Sequence, residues 1–351
     1  MILHLMIFST ITKSYIEFCN LNFDRTEHIF YVYRGNNEHK IEIKKEKNVI
    51  TLNTKFELIK FYIKLFFKND YRKIYIHGFY LPYLSLVYFL KKDLLKKSNW
   101  IVWGGDLYCY EKRKKGVKYK ILYYIEDYVK RNIAYVNTLV PGDYEIAKKY
   151  YKIRGKYKKA QYVSYNNFEY IDSLMGKQKD EIYIQIGNSA TPSNNHFEII
   201  DLLSKFKEEK IKIYAVLSYG DEIYAQKVNE YGKKIFGEKF IGIITFMEKN
   251  KYWEYLKDID ILVFNHQRQQ GLGNITMLSY LEKKIYLRKD VSSWEYLTED
   301  IGLKLNSFEE IKNQTFREFI TNNSKGNKEK ILTTVYSNEY RKNIWEENFN
   351  S

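Results

Sequence analysis

One histidine, one arginine and three glutamines fall within Asn265-His266-Gln267-Arg268-Gln269-Gln270-Gly271-Leu272-Gly273-Asn274, a stretch whose last four residues include two glycines. Those side chains suit a diphosphate. Arg268 can pair with it in bidentate fashion, His266 can donate to it, and Gly271 and Gly273 let the backbone come close. A second stretch, Gly187-Asn188-Ser189-Ala190-Thr191-Pro192-Ser193-Asn194-Asn195-His196, lies between an apolar run and a helical pattern. Its backbone N–H groups would stand at a helix N-terminus, where the helix dipole favours phosphate, and its hydroxyls and asparagines add neutral donors. The same residue types also cap helices that bind nothing. Neither a Gly-Lys-Ser/Thr ending nor a GxGxxG pattern is present here, which weakens ATP and dinucleotide readings. In Leu217-Ser218-Tyr219-Gly220-Asp221, Tyr219 is placed to stack on a base, with Ser218 and Gly220 beside it, while Ser218 and Asp221 could equally be caps. Earlier in the chain, Ile76-His77-Gly78 and Trp103-Gly104-Gly105-Asp106-Leu107-Tyr108 each close an apolar run. A carboxylate or imidazole at such a point can take the proton of an attacking hydroxyl, so Asp106 first and His77 second are the candidate acid–base groups. The structural alternatives are a satisfied core histidine at 77 and an Asp106 that only holds the Gly-Gly turn or caps a helix.

These residues act only where the surrounding elements hold them. Short apolar runs at Ile2–Phe8, Ile29–Tyr33, Ile74–His77, Trp100–Trp103, Ile133–Val136 and Gln161–Ser164 predict strands. Helical spacing separates them at Phe56–Phe67, Tyr83–Lys96, Lys118–Val129 and Asp143–Tyr151, the last opened by Pro141-Gly142. The second half repeats the alternation. Its expected strands are Glu181–Gly187, Ile211–Leu217, Phe240–Ile244, Ile261–Phe264 and Lys284–Leu287, and its helices are Asn195–Phe206, Asp221–Phe236, Lys249–Leu256 and Gly273–Leu281. Alternation of this kind means parallel α/β sheets. Glu169–Asp180, with Gly176 and Lys177, carries charge and little apolar period and is the expected linker. The expected organisation is therefore a first Rossmann-like domain over 1–170, a second over 180–332, and a terminal helix over 333–351 that packs back on the first. Two such domains with parallel sheets facing a cleft define the α/β class called GT-B, in which ligands sit beyond the carboxyl ends of the strands.

The 351 residues, 45% hydrophobic and 17% aromatic, supply two cores. Cys19 and Cys109 form no CxxC pair, so neither a disulfide framework nor a zinc site is expected and a reducing compartment fits. Met1–Phe8 lacks a cationic start and a cleavage site and reads as a strand instead of a signal peptide. No run approaches the roughly 20 apolar residues of a membrane span. The net charge of +15 calls for a polyanionic neighbour: nucleic acid, an anionic leaflet or a phosphorylated substrate. The 35 tyrosines could stack on bases, but they are spread over strands and helices alike and no RNP, KH or helix-turn-helix pattern accompanies them, so no nucleic-acid partner is expected. Lys55–Lys68 and Tyr83–Lys97 mix lysines with aromatic and aliphatic residues, as an interfacial helix does and as a core-packed helix with a wet lysine face also does.

Taken together, Trp103–Tyr108, Gly187–His196, Ser218–Asp221 and Asn265–Gln270 resemble the 4-acetamido-4,6-dideoxy-D-galactose (Fuc4NAc) transferases of glycosyltransferase family 56, over about His77 to Leu305. The resemblance implies a GT-B enzyme that takes the amino sugar from a dTDP-sugar and adds it to an undecaprenyl-pyrophosphate-linked saccharide during assembly of a surface glycan of the enterobacterial common antigen kind. It implies peripheral attachment at the cytoplasmic face of the bacterial inner membrane and no bound metal or other cofactor. On the donor side it points to Gly187, Asn188, Ser189, Thr191, Asn194, Asn195, His196, Ser218, Tyr219, Gly220, His266, Arg268, Gln269, Gly273 and Asn274. The loops also lack the paired Asp-x-Asp that holds Mg²⁺ and offer Arg268, His266 and helix termini for the leaving diphosphate. The N-terminal strands and the tail match loosely, which leaves the acceptor open. A related transferase with another nucleotide sugar and a non-catalytic scaffold are the alternatives.

Overall fold

The computed structural model describes residues 1–35, 46–67, 70–163, 167–176 and 178–351. The chain divides into two compact units, Met1–Val163 with Asn338–Ser351, and Ser164–Ser337.

In the first unit, seven parallel strands pair in the order β3-β2-β1-β4-β5-β6-β7. They are β1 (Ile2–Ile7), β2 (His28–Tyr33), β3 (Val49–Leu52), β4 (Lys73–His77), β5 (Ser98–Ile101), β6 (Tyr135–Thr138) and β7 (Lys156–Lys159). The central strands are apolar along nearly their whole length because both faces of the sheet are covered. Side chains alternate between faces. Leu3, Leu5, Ile74, Ile76 and Trp100 enter a core closed by α2 (Lys55–Phe67), α3 (Leu84–Leu90), α4 (Val117–Asn132) and α5 (Pro141–Tyr151). Ile2, Met6, Phe30 and Tyr75 enter a second core under α1 (Thr10–Asn22) and the C-terminal helix Asn338–Asn350, which contributes Trp345 and Phe349.

Four differences separate the structure from the sequence expectation. Helix α1 was not anticipated, because it opens with Thr10, Ile11 and Thr12, poor helix residues; the Ser9 cap and burial of Tyr15, Ile16, Phe18 and Cys19 override that propensity. The last strand is Lys156–Lys159, not Gln161–Ser164, whose Ser164 lies outside the described residues; lysines guard this sheet edge and mask its strand character. In addition, Phe168–Ser173, overlapping the start of the expected linker Glu169–Asp180, is a helix, α6, of the second unit, where Phe168 stacks on Tyr280 at 3.7 Å and Ile171 is buried. The division therefore falls at Val163 and not at 170–180, where Lys177 lies outside the described residues. At the other end, Asn327–Thr333 is a separate helix of the second unit, so the C-terminal helix of the first begins at Asn338.

The second unit holds six parallel strands in the order β10-β9-β8-β11-β12-β13. These are β8 (Ile182–Ile186), β9 (Ile211–Val216), β10 (Phe240–Ile243), β11 (Ile261–Phe264), β12 (Lys284–Leu287) and β13 (Asn306–Ser307). Helices α7 (His196–Leu203), α8 (Glu222–Phe236), α9 (Lys249–Asp258) and α10 (Leu272–Tyr280) alternate with them. Asp221 caps α8 by accepting the Tyr224 N–H at 2.8 Å. Two Rossmann-like units with parallel sheets make this the α/β, GT-B architecture, and the segments that follow β8, β9, β11 and β12 share one sheet edge.

Candidate active site

In the second unit, three loops after β8, β9 and β11 are bound to one another. The Ala190 N–H donates to the Tyr219 carbonyl at 2.7 Å and the Asp221 N–H to the Ala190 carbonyl at 2.8 Å, a two-bond ladder. A Cβ at Gly220 would sit 2.5 Å from the Ala190 carbonyl oxygen, so only glycine permits that approach. The Gln267 N–H reaches the Ser193 carbonyl at 3.0 Å. Gln270 then ties all three: its Nε2 donates to Asn188 Oδ1 at 3.2 Å, its Oε1 accepts from Ser193 at 3.1 Å and from Arg268 Nε at 3.2 Å, and Asn188 Nδ2 donates to the Tyr219 hydroxyl at 3.2 Å. The sequence placed Gln270 in the loop without assigning it a role.

This knitting changes what the glycine-to-histidine decapeptide does. Asn194 is fully buried; its Oδ1 accepts the Asn188 N–H and its Nδ2 reaches Ser189 and Thr191. The Ser189, Thr191 and Ser193 hydroxyls bond to one another at 3.0 and 3.3 Å. The N–H groups of Asn188, Ala190, Thr191, Asn194 and Asn195 are spent inside the loops. The expected cradle of free N–H groups is therefore largely a self-supporting scaffold, and Asn194 is its internal brace, not a ligand contact. Asn195, at φ +51°, donates its amide to the Asn265 carbonyl at 3.0 Å.

Two histidines behave differently from everything around them. His266 is 1% exposed, and neither ring nitrogen makes a hydrogen bond of good geometry, although the backbone of Gln270 lies near enough to favour its protonated form. Burial, aided by the neighbouring His196, pushes its pKa down to about 3. His196 is fully buried and held by the Tyr224 hydroxyl at Nδ1, 3.2 Å away, while its Nε2 has no partner; burial alone takes its pKa to about 3. Gly187, at φ +62°, lies so close that a Cβ there would sit 2.2 Å from this nitrogen. Each unpaired buried nitrogen is disfavoured by roughly 1–3 kcal/mol until something pairs with it. The His266 ring flanks the start of α10, where Gly271 at φ +69° leads into Leu272, Gly273 and Asn274, and a Cβ at Gly271 would touch His266 at 3.2 Å. Gln269 is half-buried on the same loop.

Sequence reasoning did not single out the groups framing this centre. The buried Asn265 donates to Glu198 at 2.7 Å and accepts from Arg288 at 3.2 Å, and Arg288 is held in a fork by Asp290. Arg288 directly follows β12, so the rule that ligands gather at strand ends could have found it. Tyr252 of α9 lies within reach of Asn274 and Gln185, a contact between α9 and the loops that no local pattern announces. Beside the second loop, a cavity of about 310 Å³ is lined by Ser218, Tyr219, Gly220 and Ile244, among others. Tyr219 is 56% exposed there.

In the first unit the two candidate acid–base groups are buried and paired. Asp106 is 3% exposed; its Oδ1 accepts the Trp103 N–H at 2.9 Å and its Oδ2 accepts the Phe79 N–H at 3.0 Å and the Trp100 indole at 2.5 Å. The buried Lys130 of α4 donates to the Asp106 carbonyl at 2.7 Å while paired with Glu126 at 2.6 Å. Three N–H donors from residues 79, 100 and 103 thus already occupy both oxygens of this carboxylate. Asp106 locks the Trp-Gly-Gly turn, which corrects its expected role as the base. His77 is fully buried within a chain: the Tyr162 hydroxyl lies 2.5 Å from its Nδ1, His4 Nδ1 lies 3.2 Å from its Nε2, and His28 Nδ1 lies 3.0 Å from His4 Nε2. The Trp103 indole donates to Tyr162 at 2.7 Å. Every link between rings needs one N–H and one bare nitrogen, so three neutral rings must share one tautomer. Burial leads the causes that depress them, to about 3 for His77 and about 4 for His28, and well below the usual value for His4. His77 is the satisfied core histidine, a correction to its expected role as a proton acceptor.

Among the described residues no group of three or more His, Cys, Asp or Glu side chains could hold a metal ion, and no helix is long and apolar enough to cross a membrane. A family model described as 4-alpha-L-fucosyltransferase, glycosyl transferase group 56, matches residues 13–350. Among solved structures, sucrose-phosphate synthase from Thermosynechococcus elongatus is similar with a TM-score of 0.67 and 10% identity over 99% of this chain and 98% of that one. A glycosyltransferase from Rickettsia africae ESF-5 gives 0.63 and 11% over 99% of both chains. A UDP-forming alpha,alpha-trehalose-phosphate synthase from Burkholderia vietnamiensis gives 0.63 and 7% over 99% and 98%. Identities this low speak for the shared fold alone.

Proposed function

The chain belongs to the glycosyl transferase group 56 family and is a glycosyltransferase of the GT-B type, and we propose that it moves Fuc4NAc or a related amino sugar from a dTDP-sugar to a lipid-pyrophosphate-linked saccharide. In this reaction the bond from the anomeric carbon to the diphosphate oxygen breaks and the electron pair leaves with the nucleotide. The acceptor hydroxyl forms the new carbon–oxygen bond and releases its proton.

The observation that carries the reading is the buried imidazole of His266 beside the first turn of α10, neither nitrogen of which makes a hydrogen bond of good geometry, within loops already fixed by Gln270. A buried donor without a partner is stabilised when an anionic oxygen arrives, and more so as that oxygen gains charge on leaving. Arg268, on the same loop, supplies the permanent positive charge. In this proposal the two together do for the diphosphate what a divalent cation does elsewhere, so turnover needs no metal. The exposed ring of Tyr219 and the adjoining cavity of about 310 Å³ suit the nucleoside, a volume at the lower end of ligand pockets. The second unit holds the donor and the first the acceptor.

A thermal-shift screen without metal against dTDP, UDP, GDP and CMP tests the donor, since a ligand that binds only the folded state raises its melting temperature. A shift confined to dTDP is expected, with Arg268→Ala weakening it by about 10- to 100-fold in affinity, the loss of one or two charge-assisted hydrogen bonds. A preference for UDP or GDP would replace the sugar nucleotide, and no shift with any of the four would sink the donor site.

A further inference from the structure

Among the described residues, the cavity of about 310 Å³ beside the second loop is lined by two acids, Asp221 and Glu222, and by no lysine, arginine or histidine. Such a lining repels a diphosphate, so the end of a nucleotide that enters it is the uncharged one. The positive charge lies close by. Burial raises the pKa of the Tyr219 hydroxyl, while hydrogen bonds with Ser189 and Asn188 and the charge of Arg268 oppose it, so Arg268 is within electrostatic reach of the cavity wall.

The rest of the lining divides by chemistry. Tyr219 presents a ring whose hydroxyl accepts from Asn188 at 3.2 Å. Ala225 of α8, which is buried, and Ile244, which follows β10, add aliphatic surface. Ile244 is 62% exposed at the end of the sheet's edge strand, where an apolar group that covered it would be removed from water with it. Gln226, the next residue of α8, brings a carboxamide with a donor and an acceptor side by side, and no other described residue bonds to it. The N3–H and C4 carbonyl of a pyrimidine dione are the matching donor and acceptor, and position 5 of that ring adjoins the same carbonyl.

We propose that Gln226 and Ile244 choose the base: Gln226 pairs with the N3–H and C4 carbonyl of a pyrimidine dione, and Ile244, with Ala225, covers a methyl group at C5, so thymine is preferred to uracil. Tyr219 stacks on the ring. The proposal rests on the reading of the second unit as a nucleotide-sugar site and adds the residues that read the base. The selection is local. A methyl at C5 and a hydroxyl at C2′ stand on different rings, so the preference holds for ribose and deoxyribose alike.

The test is calorimetric titration of the full chain with two pairs of nucleotides that differ only in that methyl, dTDP with dUDP and 5-methyl-UDP with UDP. In each pair the methylated member should bind about tenfold more tightly, the lower end of what one methyl is worth in an apolar pocket. Ile244→Ala should bring both ratios below about threefold while changing the affinity for dUDP by less than about twofold. Gln226→Ala should weaken all four by about fivefold, the loss of a neutral hydrogen bond, and keep the methyl preference. Both replaced side chains are exposed, so the melting temperature without nucleotide should stay unchanged. Binding without a methyl preference, or a preference that Ile244→Ala leaves intact, would overturn the proposal and leave the donor site standing. Binding by none of the four would sink the donor site and this selection with it.

Discussion

The two units share a parallel α/β plan and treat their buried histidines in opposite ways. In the first, His28, His4, His77 and Tyr162 satisfy one another in a continuous chain across the interior strands β2, β1 and β4. In the second, neither ring nitrogen of His266 makes a hydrogen bond of good geometry and His196 leaves its Nε2 without one. All five imidazoles have depressed pKa values with burial as the first cause, so the shift alone does not tell a structural histidine from a ligand-binding one. Pairing does. A satisfied buried ring is part of the scaffold, whereas an unsatisfied one marks a place where something is meant to arrive.

The largest expected effect lies in the first unit. Asp106→Ala should lower unfolding free energy in urea by about 4 kcal/mol, because three buried N–H donors lose their acceptor. Native stability with only turnover lost would instead return Asp106 to the role of base. Next comes acid. A histidine depressed when folded takes up its proton more readily when unfolded, so its contribution is full above pH 6.5 and is lost as pH falls toward the folded value. Between pH 6.5 and about 4, His28 alone should withdraw about 3 kcal/mol, at about 1.4 kcal/mol per pH unit. A denaturation midpoint that stays flat over that window would contradict the buried neutral chain.

Matched substitutions address the comparison directly. His4→Phe should destabilise by about 2–3 kcal/mol, since it strands His28 and His77, whereas His266→Phe should leave stability within about 1 kcal/mol or raise it while abolishing the dTDP-induced thermal shift. Equal stability losses in the two variants would erase the distinction between the units. The smallest effect is at Gln270, where alanine should weaken nucleotide binding by roughly 1 kcal/mol through looser loops and leave the melting temperature nearly unchanged. A loss there as large as that of Arg268→Ala would make Gln270 a direct ligand contact.

Much of this architecture was legible in the chain itself. Period-two and period-3.6 patterns are local, so Ile261–Phe264 and Lys284–Leu287 coincide with β11 and β12, and the loops with chemistry were found at strand ends. Elements whose local preference is weak were not legible. Helix α1 depends on burying Tyr15 and Phe18, and β7 is a lysine-lined edge.

Residue types and spacing determined that this chain alternates strand and helix, divides in two, and gathers His266, Arg268 and the Gly187–His196 loop at the strand ends of one sheet. Which of those polar groups are already satisfied was decided only by the tertiary structure. Asp106 draws its donors from residues 79, 100 and 103, and His77 is completed by residues 4 and 162. Hydrogen bonding depends on distances of a few tenths of an ångström between groups far apart in the chain, and no local pattern encodes them.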